Sequence, residues 1–93
     1  MCDFRKDQQD TMNKAIYTYG SSHQILKAIE ELGELERALI KKLMHQKDNH
    51  NLIEETADVE VMLYQIKQIY GIFSEVHSVR NEKLQRLKTR LGD

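Results

Sequence analysis

Proline is absent from this chain of 93 residues, and glycine occurs only four times. Both residues disfavour the interior of a helix, proline because it lacks a backbone N–H and glycine because ordering it costs more entropy. The chain is also rich in Leu, Ile, Glu, Lys, Gln and Arg, which lose little rotamer freedom in a helix. We therefore expect an all-α fold, and the length suits a single domain over residues 1–93.

Three breaks interrupt the helical pattern: Gly20-Ser21-Ser22, the polar run 46–51, and Gly71. Three breaks predict four helices, at about 3–19, 21–45, 51–70 and 74–91. The starts of the last three are predicted from residues suited to the N-cap, which are Ser21, Asn51 and Ser74. Gly71 is suited to the left-handed conformation that follows many helix C-termini.

Apolar residues spaced by three and four predict the buried faces of the second and third helices. The predicted stripe of the second helix is Ile25, Ile29, Leu32, Leu39 and Leu43. The predicted stripe of the third helix is Leu52, Val59, Met62, Leu63, Ile66 and Tyr70. Such spacing is typical of a four-helix bundle. A subunit of this size buries only a small core, so we also expect it to assemble into a homo-oligomer.

Two pairs of acidic residues have matching spacing: Glu31 with Glu34, and Glu55 with Asp58. Residues three apart lie on one side of a helix, so two such helices packed side by side would direct four carboxylates at one point. Glu55 also lies within the apolar stripe of its helix, where an ionised carboxylate requires a cation, a basic partner or a proton. Oxygen ligands alone favour Mg²⁺, with Mn²⁺ as a substitute, over iron and zinc.

The acidic pairs have other interpretations. One is a solvated helix face held by ion pairs, but Glu34 with Arg37 and Glu36 with Lys41 both lack the favoured i,i+4 spacing. Another is a di-iron bundle, which needs a His three residues after a Glu, and no Glu in this chain has one. Calcium is disfavoured because the chain has no twelve-residue acidic loop.

The predicted fourth helix is basic over its second half, where Glu82 is the one acid. The other charged or amide residues there are Arg80, Asn81, Lys83, Arg86, Lys88 and Arg90. Lys83 and Arg86 lie beside its apolar stripe and are candidates for binding phosphate. The alternative is a basic C-terminal helix that complements its own dipole. Tyr17 and Tyr19 precede the second helix, where they could stack on a nucleobase or serve only as packing caps.

Taken together, these residues resemble the signature of the MazG-like, all-α nucleoside triphosphate pyrophosphohydrolases. That signature is Glu-Glu-x-x-Glu followed, after a variable gap, by Glu-x-x-Asp. Here it reads Glu30-Glu31-x-x-Glu34, twenty intervening residues, and Glu55-x-x-Asp58. The segments 19–24 and 81–86 also resemble those that flank the signature, so the resemblance covers about residues 19–90.

The resemblance implies hydrolysis of a (d)NTP between its α and β phosphates, giving (d)NMP and pyrophosphate. It implies that Mg²⁺ is held by a set of four acids: Glu31, Glu34, Glu55 and Asp58. Glu30 and Glu31 would serve catalysis, Glu30 by orienting or deprotonating water, while Lys83 and Arg86 would contact phosphate oxygens. It also implies a homodimer or homotetramer. Base selectivity does not carry over, because the chain has no Trp.

Charge and hydropathy limit the classes of function. A net charge of −1 provides no overall attraction to a nucleic acid polymer or to an anionic membrane. The chain has no apolar run long enough to span a bilayer and no apolar stretch near its start, so we expect a cytoplasmic protein. The lone Cys2 predicts neither a disulfide nor a zinc site. The alternative function is a non-enzymatic helical oligomer that binds a nucleotide or a protein partner.

Overall fold

The structure is a computed structural model that describes residues 3–44 and 50–93. Over these residues it contains four α-helices and no strand, which confirms the all-α prediction. The helices are α1 (Lys6–Tyr19), α2 (Ser21–Leu43), α3 (His50–Tyr70) and α4 (Phe73–Arg90). His45, the predicted end of the second helix, lies outside the described residues. Within the described ranges, no helix is both long and apolar enough to cross a membrane.

The predicted N-caps are wrong. Gly20, and not Ser21, is the residue that precedes α2. Ile72, and not Ser74, precedes α4. Asn51 lies inside α3, which begins one residue earlier.

Glycine conformation explains where α2 begins and where α3 ends. Gly20 has φ 92° and ψ 151°, a region of backbone conformation that is almost confined to glycine. The turn between α1 and α2 is therefore made at this one residue, which leaves Ser21 already helical. Gly71 has φ 64°, the left-handed conformation predicted for it, and α3 ends at the residue before it.

Helices α2 and α3 form the central pair, α1 packs across both of them, and α4 contacts α3 alone among the described helices. The buried apolar residues are Met12, Ala28, Ala38, Val59, Met62 and Tyr64. Three polar residues are buried with them: Gln24, Glu31 and Gln65. The core is thus thin, and a third of its buried positions are polar.

The buried face of α2 is displaced by one residue from the prediction. The buried positions are Gln24, Ala28, Glu31 and Ala38, and each directly precedes a residue that was predicted to be buried. Ile25 is half-buried, whereas Ile29, Leu32, Leu39 and Leu43 are exposed, so four of the five predicted positions are wrong. One residue corresponds to a rotation of about 100°. The small side chains of Ala28 and Ala38 let α3 approach closely, whereas the larger side chains of the neighbouring stripe would hold the two helices apart.

The prediction for α3 is closer. Four of the six predicted positions are buried or half-buried, namely Leu52, Val59, Met62 and Ile66. Leu63 and Tyr70 are exposed instead, so these two predictions are wrong. Tyr64 is buried because the start of the chain and the start of α4 cover that side of α3: its ring lies 5.8 Å from that of Phe4 and 5.2 Å from that of Phe73.

Candidate metal centre

Three carboxylates meet between α2 and α3. One oxygen from each of Glu31, Glu55 and Asp58 lies within 4.8 Å of the others. Glu31 comes from α2, and the other two come from successive turns of α3. Glu31 is buried, Glu55 is half-buried and Asp58 is exposed, so the cluster opens to solvent on the side of Asp58. We call these three residues the acidic cluster.

Packing between α2 and α3 fixes the position of the cluster. Glu31 lies on the face of α2 that also carries Ala28 and Ala38, and this face is packed against α3. On the same two helices, the buried amide of Gln24 donates a 2.7 Å hydrogen bond to the side-chain oxygen of Gln65. Because both glutamines are buried, this bond is satisfied only in one register of the two helices. That register brings Glu31 opposite the acids of α3.

Glu55 is the member of the cluster whose charge is least compensated. Its Oε2 atom is buried and has no hydrogen-bond partner among the described residues. Burial raises the pKa of Glu55, and the negative charges of Glu31, Glu34, Asp58 and Glu54 raise it further. A divalent cation or a proton at this carboxylate would relieve both causes.

Lys27 is a basic neighbour of the cluster that was not predicted. Its Nζ atom lies 3.1 Å from Glu31 Oε1 and 3.8 Å from Glu30 Oε1. The hydrogen bond to Glu31 raises the pKa of Lys27, and the charges of Glu30 and Glu31 add to that effect. The i,i+4 spacing of Lys27 and Glu31 was visible in the sequence as the signal for this pair. Lys27 compensates Glu31 on α2, whereas Glu55 on α3 has no such partner in the cluster.

The structure places the remaining predicted acids at the edge of the cluster. Glu34 is not one of the three converging residues, and it accepts a 3.2 Å hydrogen bond from Arg37 Nη2. Its charge nevertheless acts on Glu55, so it lies on the same side of the helix pair. Glu30 is exposed and interacts with Lys27. The metal-binding role of Glu34 and the catalytic role of Glu30 stay predictions.

The predicted phosphate ligands lie on a different helix from the three acids of the cluster. Lys83 and Arg86 are exposed on α4, which contacts α3 but not α2. Lys83 lines an apolar groove with Val79 and Leu87, while Arg86 lines a neighbouring depression on the same helix. Their role in binding phosphate stays a prediction.

The two tyrosines lie at the end of α1. Tyr17 is 91% exposed. The ring of Tyr19 lies 5.5 Å from the ring of His23 in a tilted arrangement, so it already has an aromatic neighbour across the α1–α2 turn. Stacking of a nucleobase on either tyrosine stays a prediction.

The donor set determines the kind of ion that the cluster can hold. All three converging groups are carboxylates, and the cluster includes no His or Cys. Hard oxygen ligands match Mg²⁺ and Mn²⁺, and an opening toward solvent leaves room for the waters that Mg²⁺ retains. Comparison with models of protein families, with curated proteins and with solved structures finds no match for this chain.

Proposed function

We propose that this chain is a Mg²⁺-dependent nucleoside triphosphate pyrophosphohydrolase that cleaves a (d)NTP between its α and β phosphates. The observation that carries the proposal is the convergence of Glu31, Glu55 and Asp58, with one buried oxygen of Glu55 lacking a partner among the described residues. The order and spacing of these acids, which resemble the MazG-like signature, support the same reaction.

Each residue has a role that follows from its position. Glu31, Glu55 and Asp58 would hold Mg²⁺, with Glu34 as a further ligand at the edge. When bound, the ion supplies charge neutralisation at the phosphorus under attack and lowers the pKa of its water. Glu30 is exposed beside the cluster and would orient the attacking water or accept its proton. Lys27 holds Glu31 in place through the 3.1 Å ion pair.

Product analysis tests the reaction. Incubation with canonical and modified NTPs in the presence of Mg²⁺ should release pyrophosphate and a nucleoside monophosphate. Removing one charge that stabilises the transition state commonly costs about 100-fold or more in rate, and we expect that loss for Glu55→Gln. Glu60→Gln is the matched control, because Glu60 is an exposed acid on the same helix and outside the cluster. Free phosphate as the first product would contradict the proposed bond cleavage.

Cation binding can be measured separately from turnover. Mg²⁺ should raise the thermal midpoint of the wild-type chain, since a ligand that binds only the folded state stabilises it by about 2.7 kcal/mol at 100 times its Kd. Asp58→Asn should abolish most of this increase. Glu34→Gln should reduce it less, because Glu34 lies outside the three converging residues and has Arg37 as a partner. An equal increase in wild type and Asp58→Asn would place the ion elsewhere.

A non-enzymatic helical oligomer is the second candidate, and the exposed apolar residues of α2 and α4 favour it. In that case no nucleotide would be hydrolysed with Mg²⁺ present. Glu55→Gln would then change only the stability of the fold. The product assay therefore distinguishes the two candidates directly.

A further inference from the structure

A cavity of about 470 Å³ lies where three parts of the chain meet: the segment before α1, one side of α3, and α4. Two aromatic contacts hold these parts together, because the ring of Tyr64 lies 5.8 Å from that of Phe4 and 5.2 Å from that of Phe73. The carbonyl of Phe4 also accepts a 2.9 Å hydrogen bond from Gln9 Nε2, which anchors the segment before α1. Phe4 and Tyr64 both line the cavity, and we call it the Tyr64 cavity.

The Tyr64 cavity is separate from the acidic cluster. It shares no lining residue with the cluster, although Lys67 lines it from the same helix that carries Glu55 and Asp58. Lys67 follows Asp58 by nine positions, and at about 100° per residue these two residues lie on opposite sides of α3. A ligand in the cavity would therefore be a second ligand, apart from the proposed substrate.

Three basic side chains line the cavity, one from each of its walls: Arg5, Lys67 and Arg80. Lys67 is half-buried, and its Nζ atom lies 5.6 Å from the centre of the Phe73 ring. Arg80 Nη2 lies 3.2 Å from His77 Nδ1. Among the described residues, neither Lys67 nor Arg80 forms an ion pair with a carboxylate. A half-buried cation without a counterion favours an anionic ligand.

The lining also contains acids and an amide: Asp3, Glu60 and Gln8. Asp3 and Glu60 are exposed, and within the described ranges neither forms an ion pair with the three cations. Arg5 is paired instead with Asp7, at 3.1 Å, and Asp7 is not a lining residue. Three cations against two acids leave the lining with a positive balance. Oxygen acceptors beside these cations suit a ligand that carries hydroxyl groups as well as an anion.

We propose that the Tyr64 cavity binds a sugar phosphate. The phosphate lies against Lys67 in this arrangement, since phosphate oxygens accept strong hydrogen bonds from an ammonium group and Lys67 is the half-buried cation of the three. The sugar hydroxyls donate to Asp3, and the C–H surface of the sugar packs on Tyr64 and Leu63, which also line the cavity. The volume is within the range of about 300–1,000 Å³ that is typical of small-molecule sites. The proposal goes beyond the proposed hydrolysis and does not depend on it.

Titration of the ¹⁵N-labelled chain with glucose 6-phosphate in EDTA tests the site. We expect amide signals of the residues that line the cavity to shift. Lys67→Gln should weaken binding about 10-fold or more, because it removes a charge-assisted hydrogen bond. Lys67→Arg keeps the charge and should bind more tightly than Lys67→Gln. Lys14→Gln is the matched control, because Lys14 is an exposed lysine that lines a different depression, on α1.

A second variant keeps the test decisive if Lys67→Gln disturbs the fold. Arg80→Gln changes an exposed side chain of the cavity and should also weaken binding. Circular dichroism shows whether each variant keeps its helices. A folded Lys67→Gln that binds glucose 6-phosphate as tightly as wild type, or a wild type that does not bind it, would overturn the proposal.

Two parts of the ligand and one variant of the acidic cluster complete the experiment. Glucose and inorganic phosphate should each bind at least about 10-fold more weakly than glucose 6-phosphate, because each lacks contacts that the other part makes. Inorganic phosphate that binds equally tightly would reduce the cavity to an anion site and overturn the sugar phosphate. Glu55→Gln should bind like wild type, whether or not the chain hydrolyses nucleotides. Loss of binding in Glu55→Gln would place the ligand at the acidic cluster and overturn the proposal.

Discussion

At the scale of single residues, Glu55 is the side chain with the greatest consequence for the site. It lies on the packed face of α3, and its Oε2 atom is buried without a hydrogen-bond partner among the described residues. Four acidic side chains act on it, and Lys27 is paired with Glu31 instead. In the absence of a bound cation, its ionised form therefore opposes folding.

The first prediction concerns the stability of Glu55→Gln as a function of pH in EDTA. The folded pKa of Glu55 is raised above its ordinary value of 4.5, so the folded state binds a proton more readily than the unfolded state. The contribution of this group to stability is fully present below 4.5 and is lost as pH rises through the raised pKa. Glutamine does not ionise, so we expect Glu55→Gln not to lose stability in this way as pH rises. At neutral pH the variant should have a higher thermal midpoint than wild type.

Circular dichroism can follow thermal unfolding of wild type and Glu55→Gln between pH 4 and 8, in steps of roughly one pH unit. The measured quantity is the difference between their thermal midpoints. Glu60→Gln removes an exposed charge from the same helix and should follow the wild-type curve. If the glutamine variant at position 55 also followed that curve, Glu55 would not be the group that titrates.

At the scale of helices, the register of α2 against α3 determines whether the acids meet. Gln24 on α2 and Gln65 on α3 form a buried hydrogen bond between the two helices that carry the cluster. A shift of one residue in either helix would rotate its acids by about 100° and separate them. A buried hydrogen-bonded pair is suited to fixing the register of two helices. An apolar contact tolerates sliding of one helix along the other, whereas a hydrogen bond does not.

The second prediction concerns this glutamine pair. Gln65→Leu leaves the buried amide of Gln24 without its acceptor, and we expect the free energy of unfolding to fall by about 1–3 kcal/mol. The double variant Gln24→Leu with Gln65→Leu should recover part of that loss, because no unsatisfied group remains. Urea denaturation at one fixed protein concentration measures the free energy of unfolding of wild type, of the single variant and of the double variant.

Gln68→Leu is the control for the glutamine pair, because Gln68 is an exposed glutamine on the same helix. It should change stability by less than about 0.5 kcal/mol. A double variant as unstable as the single one would indicate that the pair contributes packing and not hydrogen bonding.

At the scale of the whole molecule, the core of the single chain is small among the described residues. The described helices bury six apolar side chains, and none of the large ones is completely buried. Helix α4 adds apolar surface without covering any of α2. A core this thin supports the prediction that the chain assembles into a homo-oligomer.

The third prediction concerns the dependence of stability on protein concentration. If folding and dimerisation are coupled, the thermal midpoint of wild type should rise by a few degrees for each tenfold increase in concentration. The double variant Leu84→Glu with Leu87→Glu should unfold at a lower midpoint that does not depend on concentration. Differential scanning calorimetry measures the thermal midpoint of wild type and of the double variant. A wild-type midpoint that stays constant over a hundredfold range of protein concentration would contradict coupled folding and dimerisation.

Helix content and the pairing of acids were determined by the sequence alone. Helix formation depends on local hydrogen bonding and on residues that permit it, so a chain without proline could be read as four helices with breaks near Gly20 and Gly71. The spacing of Glu31 with Glu34, and of Glu55 with Asp58, likewise places each pair on one side of a helix whatever the rest of the chain does.

Only the tertiary structure decided which face of each helix is covered. Helix α2 is apolar over two adjacent faces, and the choice between them depends on the volumes of Ala28 and Ala38 against α3, which periodicity does not measure. That choice buries Glu31 and exposes Leu32. Packing depends on shapes that come from distant parts of the chain, whereas a helix depends on residues three and four apart.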